Sequence, residues 1–173
     1  QQQALDAWTH LLGKNIQINP NIKSCIAKNK SVLATLYPSS TQEIIESVKI
    51  ADTYKTPIYP VSSGNNWGYG SSLPVKDNCA ILNLSKMNKI LDFDPLTGVI
   101  TLEPGVTQSQ LAEYLDQNRY PYLIPVTGAG PDCSIMGNAI ERGYGITPYA
   151  DHFISVLSLE AILPDGSLYK PIL

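Results

Sequence analysis

Leu5, Trp8, Leu11 and Leu12 recur at helical spacing and stop at Gly13, which predicts a short helix near the start of the chain. Val32 to Tyr37 is a compact apolar run ended by Pro38 and reads as a strand. Ser40-Thr41-Gln42-Glu43 then has the pattern of a capping box, in which the Ser40 hydroxyl caps and Glu43 reaches back. Ile44, Ile45, Val48 and Ala51, with Tyr54 at the edge, make one apolar stripe. A helix over 41–54 is therefore expected to lie on a sheet. Pro57 to Val61 and Ala80 to Leu84 are β-like, and the glycine-rich stretch Ser62 to Ser72 leads from the first towards the second. Strand, helix, strand, loop, strand predicts a small βαβ unit with parallel pairing.

The later half has a different rhythm. Ile90 to Phe93 and Val99 to Glu103 flank Asp94-Pro95-Leu96-Thr97-Gly98, a hairpin with turn chemistry at its tip. Thr107-Gln108-Ser109-Gln110 repeats the capping logic, with Leu111, Tyr114 and Leu115 on one helical face. Tyr122 to Val126 is a short β-like run, and a second glycine-bearing segment follows from Thr127 to Pro148. Ile154 to Leu163 and Leu168 to Lys170 are expected to pair around Pro164-Asp165-Gly166-Ser167. The fold class is α+β. A parallel subdomain is expected over about 31–86 and an antiparallel sheet with helices over about 87–173. Residues 1–30 read as an N-terminal approach segment.

Composition narrows the partners. The 173 residues suffice for one domain or two small subdomains, and 43% are hydrophobic. Twelve basic residues against 15 acidic ones leave a net charge of −3. No basic field is available for nucleic acid or an anionic membrane, so neither partner is expected. No run of eighteen apolar residues is present, and Gln1-Gln2-Gln3-Ala4 does not read as a signal peptide. Cys25, Cys79 and Cys133 are widely spaced and odd in number, which favours free thiols and a cytoplasmic compartment. His10 and His152 have no second ligand at metal-binding spacing, so no metal is expected.

Two segments carry candidate chemistry. In Ser62-Ser63-Gly64-Asn65-Asn66-Trp67-Gly68-Tyr69-Gly70, glycines permit close backbone approach and positive φ. Successive amides in such a turn make a nest for an anion. The hydroxyls and side-chain amides add neutral donors, and no Lys or Arg lies between Lys55 and Lys76. A long turn without a ligand is the plainer alternative. In the second segment, Gly128 to Gly145, Ser134 is expected to cap a short helix with free amides at its start. Gly137 and Gly143 imply close contact with something flat or bulky. Neither segment has the Walker or Rossmann pattern. Two glycine-rich loops in different halves suggest a ligand between them.

These stretches, together with Glu103-Pro104-Gly105-Val106 and Gly137-Asn138-Ala139-Ile140-Glu141-Arg142-Gly143-Tyr144-Gly145-Ile146-Thr147-Pro148-Tyr149-Ala150-Asp151-His152, carry a resemblance. From about Ser31 to Leu173 the chain resembles the FAD-binding domain of the vanillyl-alcohol oxidase / p-cresol methylhydroxylase family. The resemblance implies two subdomains with FAD between them. It implies that Ser62, Ser63, Gly64, Asn65, Asn66, Gly68 and Gly70 surround the FAD diphosphate. Pro104, Gly105, Ser134, Ile135, Gly137 and Asn138 would line the cofactor, with Gly143 and Gly145 near it. Tyr69 stands where phenol-oxidising members have a tyrosine that helps bind the phenolate, and its plainer role is packing. Ala129 and Ile146 stand where those members have an acidic residue and a tyrosine, a departure from the phenol pattern. Asn66 replaces the histidine that another branch bonds to the flavin, and Gly130 aligns with a cysteine tether, so non-covalent FAD is expected. For Arg142 a salt bridge to Glu141 or Asp151 is the plainer role, and for His152 a structural hydrogen bond.

The implied activity is hydride transfer from a C–H of an alcohol- or phenol-like substrate to FAD. Oxygen or another acceptor would complete the cycle. A cap domain or partner chain would supply the rest of the pocket, so this chain alone is expected to be inactive. The alternative is a non-catalytic FAD- or nucleotide-binding module, or a subunit completed by another chain.

Overall fold

The computed structural model describes residues 1–20, 30–66, 72–124, 126–145 and 151–171. Its first sheet has four strands: β1 (Ile16–Ile18), β2 (Val32–Leu36), β3 (Ile58–Val61) and β4 (Cys79–Asn83). Their order is β1-β2-β4-β3. β4 runs parallel to β2 and to β3, with Leu36 opposite Leu82 and Ile58 opposite Ala80. The parallel unit read from the sequence is present, and β1 adds an antiparallel edge.

All five residues of β2 are buried, which suits a strand covered on both faces. On one face lie α1 (Gln2–Leu12) and α2 (Thr41–Thr53). Ala4, Leu5, Trp8 and Leu12 from α1 pack with Ile44 and Ala51 from α2 and with Ala34, Leu36, Ala80 and Leu82 from the sheet. Trp8 is fully buried, and its indole N–H donates to the Ser47 carbonyl at 3.1 Å. The first twenty residues thus supply core, because four apolar side chains on one helical stripe need a surface to cover. Ser40 caps α2 by accepting from the Glu43 amide. Glu43 reaches back to the amide of Ser39, one residue earlier than the box pattern expects.

The second half is built on an antiparallel pair, β5 (Ile90–Asp94) and β6 (Val99–Leu102). Asp94 accepts from the Leu96 amide and the Thr97 hydroxyl in the turn, bonds that hold its carboxyl below the usual range. α3 (Gln108–Gln117) carries a complete capping box between Thr107 and Gln110. Leu111 and Leu115 bury with Val106, and Phe93, Tyr114, Tyr120 and Tyr122 cluster beside them. In the run Tyr122 to Val126, which reads as β-like in the sequence, the described residues Tyr122, Leu123, Ile124 and Val126 form no strand. Pro121 removes a ladder donor, and the Tyr122 hydroxyl donates to Pro95 O at 2.7 Å.

α4 (Ile135–Ile140) follows, then a 3₁₀ turn over His152–Ser155, then β7 (Ala161–Ile162) and β8 (Leu168–Tyr169). The last hairpin is shorter than the sequence suggests. Asp151 accepts from the Phe153 amide and turns the chain where a strand was expected. The turn around Gly166 sits against Lys49 and Ile45 of α2, and Ile162 joins the first core.

Candidate functional site

The Ser62–Asn66 loop leaves β3 from the carboxyl end of a parallel strand, a position where α/β sheets commonly place ligands. Gly64 has φ +76°, so it carries the conformation that only glycine adopts cheaply. Two hydrogen bonds tie this loop to the second glycine segment. The Ser134 amide donates to Ser63 Oγ at 3.2 Å, and Asn65 Nδ2 donates to Asp132 O at 3.1 Å. At Gly137 a Cβ would stand 2.6 Å from Ser134 Oγ and 3.2 Å from Ser62 Oγ. Glycine there lets the two segments touch.

Ser134 caps α4 by accepting from the Gly137 amide at 2.9 Å, as the sequence implies. Three of the amides at that helix start are engaged. Ser134, Ile135 and Gly137 donate to Ser63 Oγ, Val106 O and Ser134 Oγ respectively. The Ser134 and Ile135 amides join elements, and the Gly137 amide closes the cap.

The other candidates sort by what they touch. Pro104 and Gly105 follow β6. A Cβ on Gly105 would stand 2.6 to 2.9 Å from the carbonyl oxygens of Leu84, Met87 and Ser85, so glycine lets the second half seat on the turn after β4. Ile135 packs beside Val106. Asn138 is engaged with the turn after α4. Its Oδ1 meets His152 Nδ1, and its amide group fills the space where a Gly143 side chain would be. A Cβ on Gly145 would stand 2.7 Å from His152 Nε2. The flat or bulky neighbours implied for Gly143 and Gly145 are thus Asn138 and His152. Arg142 pairs with Asp151, its Nε and Nη2 both reaching Oδ2, at 3.1 and 2.5 Å. That pairing holds the Asp151 carboxyl below its ordinary range. Burial pushes the His152 imidazole down, against the pull of Asp151.

Gln108 escaped sequence reasoning. It is 4% exposed, its Nε2 donates to Gly130 O, and its Oε1 accepts from the Thr127 amide, both at 2.9 Å. It clamps the second segment just ahead of Ser134. A glutamine inside a capping sequence reads as solvated, and no periodicity distinguishes a clamping one. Tyr69, Gly68 and Gly70 lie outside the described residues, as do Trp67, Ile146, Tyr149 and Cys25. Among the described residues, Cys79 and Cys133 are free and buried, and burial raises both thiol pKa values. A thiol held in its neutral form is a poor nucleophile. Ala129 and Gly130 lie in an open turn, where a Cβ on Gly130 would meet nothing within 4 Å.

Residues 32–170 match the FAD binding domain family. The chain belongs to that family. The 4-cresol dehydrogenase [hydroxylating] flavoprotein subunit of Pseudomonas putida is 36% identical over 79% of this chain and 26% of the relative. The 1'-carboxy-chondrochloren decarboxylase of Chondromyces crocatus is 35% identical over 95% of this chain and 32% of its own. The crystal structure of p-cresol methylhydroxylase with substrate bound superposes with a TM-score of 0.87 at 30% identity, covering 97% of this chain and 34% of that one. The fold is the p-cresol methylhydroxylase type of FAD-binding domain, and FAD is the cofactor it serves. The chain spans between a quarter and about a third of the length of these relatives.

The residues present fit that cofactor. The loops from the two halves meet edge to edge through Ser63 and Ser134. Ser63 Oγ accepts there and keeps its own proton for donation. Gly64 bends the backbone as an anion nest requires, and Ser62 and Asn66 are half-buried beside it. No described helix is long and apolar enough to cross a membrane. No group of three or more metal-ligating side chains occurs among the described residues.

Proposed function

We propose that this chain forms the FAD-binding part of a flavin-dependent oxidoreductase that removes hydride from a C–H bond of an alcohol- or phenol-like small molecule. The carrying observation is the joining of the Ser62–Asn66 loop to Ser134–Gly137 in a chain of the FAD binding domain family. The likeness to the 4-cresol dehydrogenase subunit supports the substrate class. Bound FAD supplies the two-electron acceptor. The chain's own residues bind and orient. Ser62, Ser63, Gly64, Asn65 and Asn66, continued by Gly68 and Gly70, offer neutral donors to a diphosphate. Pro104, Gly105, Ser134, Ile135, Gly137 and Asn138 form and brace the wall between the halves, with Gly143 and Gly145 behind it. Tyr69 orients the substrate. A cap domain or partner chain completes the substrate pocket, and FAD is held without a covalent bond from this chain.

Titration of the purified chain with FAD, followed by flavin fluorescence, checks this. Saturable one-to-one binding is expected. Free FAD at a hundred times Kd should raise the unfolding free energy by about 2.7 kcal/mol. No binding, by titration or by thermal shift, overturns the reading. Substrate turnover is expected only once a cap domain or partner chain completes the pocket.

A further inference from the structure

α4 has two working sides. Ser134 and Gly137 face Ser63 and Ser62 of the candidate cofactor loop. Asn138 meets the His152 ring through its Oδ1. His152 is 5% exposed, and its backbone amide donates to Gly143 O at 3.0 Å. The Gly143 amide in turn donates to Asn138 O at 2.8 Å. Side chains at 143 and 145 are excluded by the Asn138 amide and the imidazole. One histidine thus holds α4, the turn after it and the bridge between Tyr144 and Asp151.

The chemistry of the contact sets the ring's protonation. An amide oxygen faces Nδ1, which assigns a proton to that nitrogen and leaves Nε2 bare in the neutral ring. Nε2 lies tight against Gly145. A second proton would place a charged N–H there, in a buried setting where charge is disfavoured. Asp151 precedes the ring, and Arg142 engages its carboxylate. Glu141 and Tyr144 are the other titratable groups of the connecting turn. α4 and the Val126–Pro131 segment carry no titratable group.

We propose that His152 is a positioning residue for FAD: its neutral ring braces α4 through Asn138 against the Ser62–Asn66 loop, so FAD affinity falls when the ring takes up a proton. The inference rests on the FAD-binding reading and adds a control on the same site. The burial-lowered imidazole fixes the sign, since such a ring is neutral above 6.5 and protonates only as pH falls below it.

FAD titrations of the full chain from pH 7.5 to 5.0 test it, with circular dichroism at each pH to score folding. Wild type should hold a constant Kd above pH 6.5. Below the ring's own pKa, Kd should rise by up to about tenfold per pH unit, the slope for one proton. His152→Gln keeps an amide donor for Asn138 and does not titrate, so its affinity should be near the wild-type plateau and flat with pH. His152→Ala should bind at least tenfold more weakly at pH 7.5, with the slope lost. His10→Gln, on exposed α1 surface, should keep the wild-type profile. If His152→Ala does not fold, the wild-type and glutamine profiles decide. A glutamine variant with the wild-type slope overturns the proposal, and so does a folded alanine variant with wild-type affinity. Wild type that binds FAD with no slope overturns this inference alone. Wild type that binds none at pH 7.5 overturns the FAD reading and this inference with it.

Discussion

The sheet β1-β2-β4-β3 and the segment from β5 to β8 are held together differently. In the first, Trp8, Leu36 and Ile81 are almost completely inaccessible, and apolar clusters lie on both faces. In the second, Leu91, Leu96, Leu123, Ile154 and Leu157 are exposed, and the pairs β5-β6 and β7-β8 have two strands each. Around a small core of Val106, Leu111 and Leu115, order there comes from ties: the aromatic cluster, the Gln108 clamp, the Asn138–His152 contact and the Arg142–Asp151 pair. A two-stranded pair buries too little by itself to be stable. The first region is a platform, and the second is fastened to it at Gly105, Ser63 and Asn65. The cofactor loops meet along that fastening, so the site should be more easily disturbed than the fold.

Trp8→Ala should break the platform itself. Emptying a fully buried indole site costs about 3–5 kcal/mol. Loss of the indole donor to Ser47 adds to the cavity. Urea denaturation should show the midpoint fall with the whole transition. A change below 1 kcal/mol would mean that the first helix is only appended to the sheet.

Gly105→Ala strikes the junction. The new methyl would meet three backbone carbonyls at under 3.0 Å, and backbone cannot swing aside like a side chain. Overpacking of this kind costs about 1–3 kcal/mol. The loss should appear in both denaturation and FAD affinity, because the hairpin and the second loop move together. Intact affinity would show that the loops are placed without this junction.

Gln108→Leu tests a tie by itself. It keeps bulk but leaves Gly130 O and the Thr127 amide without their partner, at about 1–3 kcal/mol. FAD affinity should suffer more than global stability. Equal losses in the two measurements would remove the distinction between platform and ties.

How much of this was legible beforehand follows the same division. Val32 to Leu36 and the stripe from Ile44 to Ala51 announced the platform, since burial on two faces writes itself as apolar runs and periodic stripes. Ser134 announced its cap, and Gly64 its positive φ, because local chemistry limits which residues serve. Tyr122 to Ile124 misled, because a β-like composition says nothing of lost donors beside Pro121. Ile154 misled likewise, because the Asp151 cap competes with strand pairing. The double use of α4 was invisible. Asn138 and Gly143 read as cofactor residues by resemblance, and only coordinates show the amide turned onto His152. Gln108 was silent for the same reason, since a clamp between Gly130 and Thr127 depends on distance in space.

The smallest expected effect separates the regions by acid. The His152 imidazole is pushed below its ordinary 6.5 by burial, so its contribution to stability is complete above that pH. It is lost as pH falls through the lowered value, because the unfolded chain takes up the proton first. Asp151 is held below its ordinary 3.8 by Arg142, so its contribution is complete above 3.8 and is lost only at lower pH. Asp151 is half-buried but its partner Arg142 is exposed, so the pair's share should be modest and sensitive to salt. Both groups belong to the tied segment. Hydrogen exchange without FAD between pH 7 and pH 5, corrected for intrinsic rates, should therefore quicken first at the amides of Asn138, Gly143 and His152. Those of Ala34, Leu36 and Ile81 should stay protected. His152→Gln should abolish that early loosening and leave the loss below 3.8. Simultaneous opening of both sets in wild type would mean that platform and ties unfold as one unit, which the exposed, tie-held second region argues against.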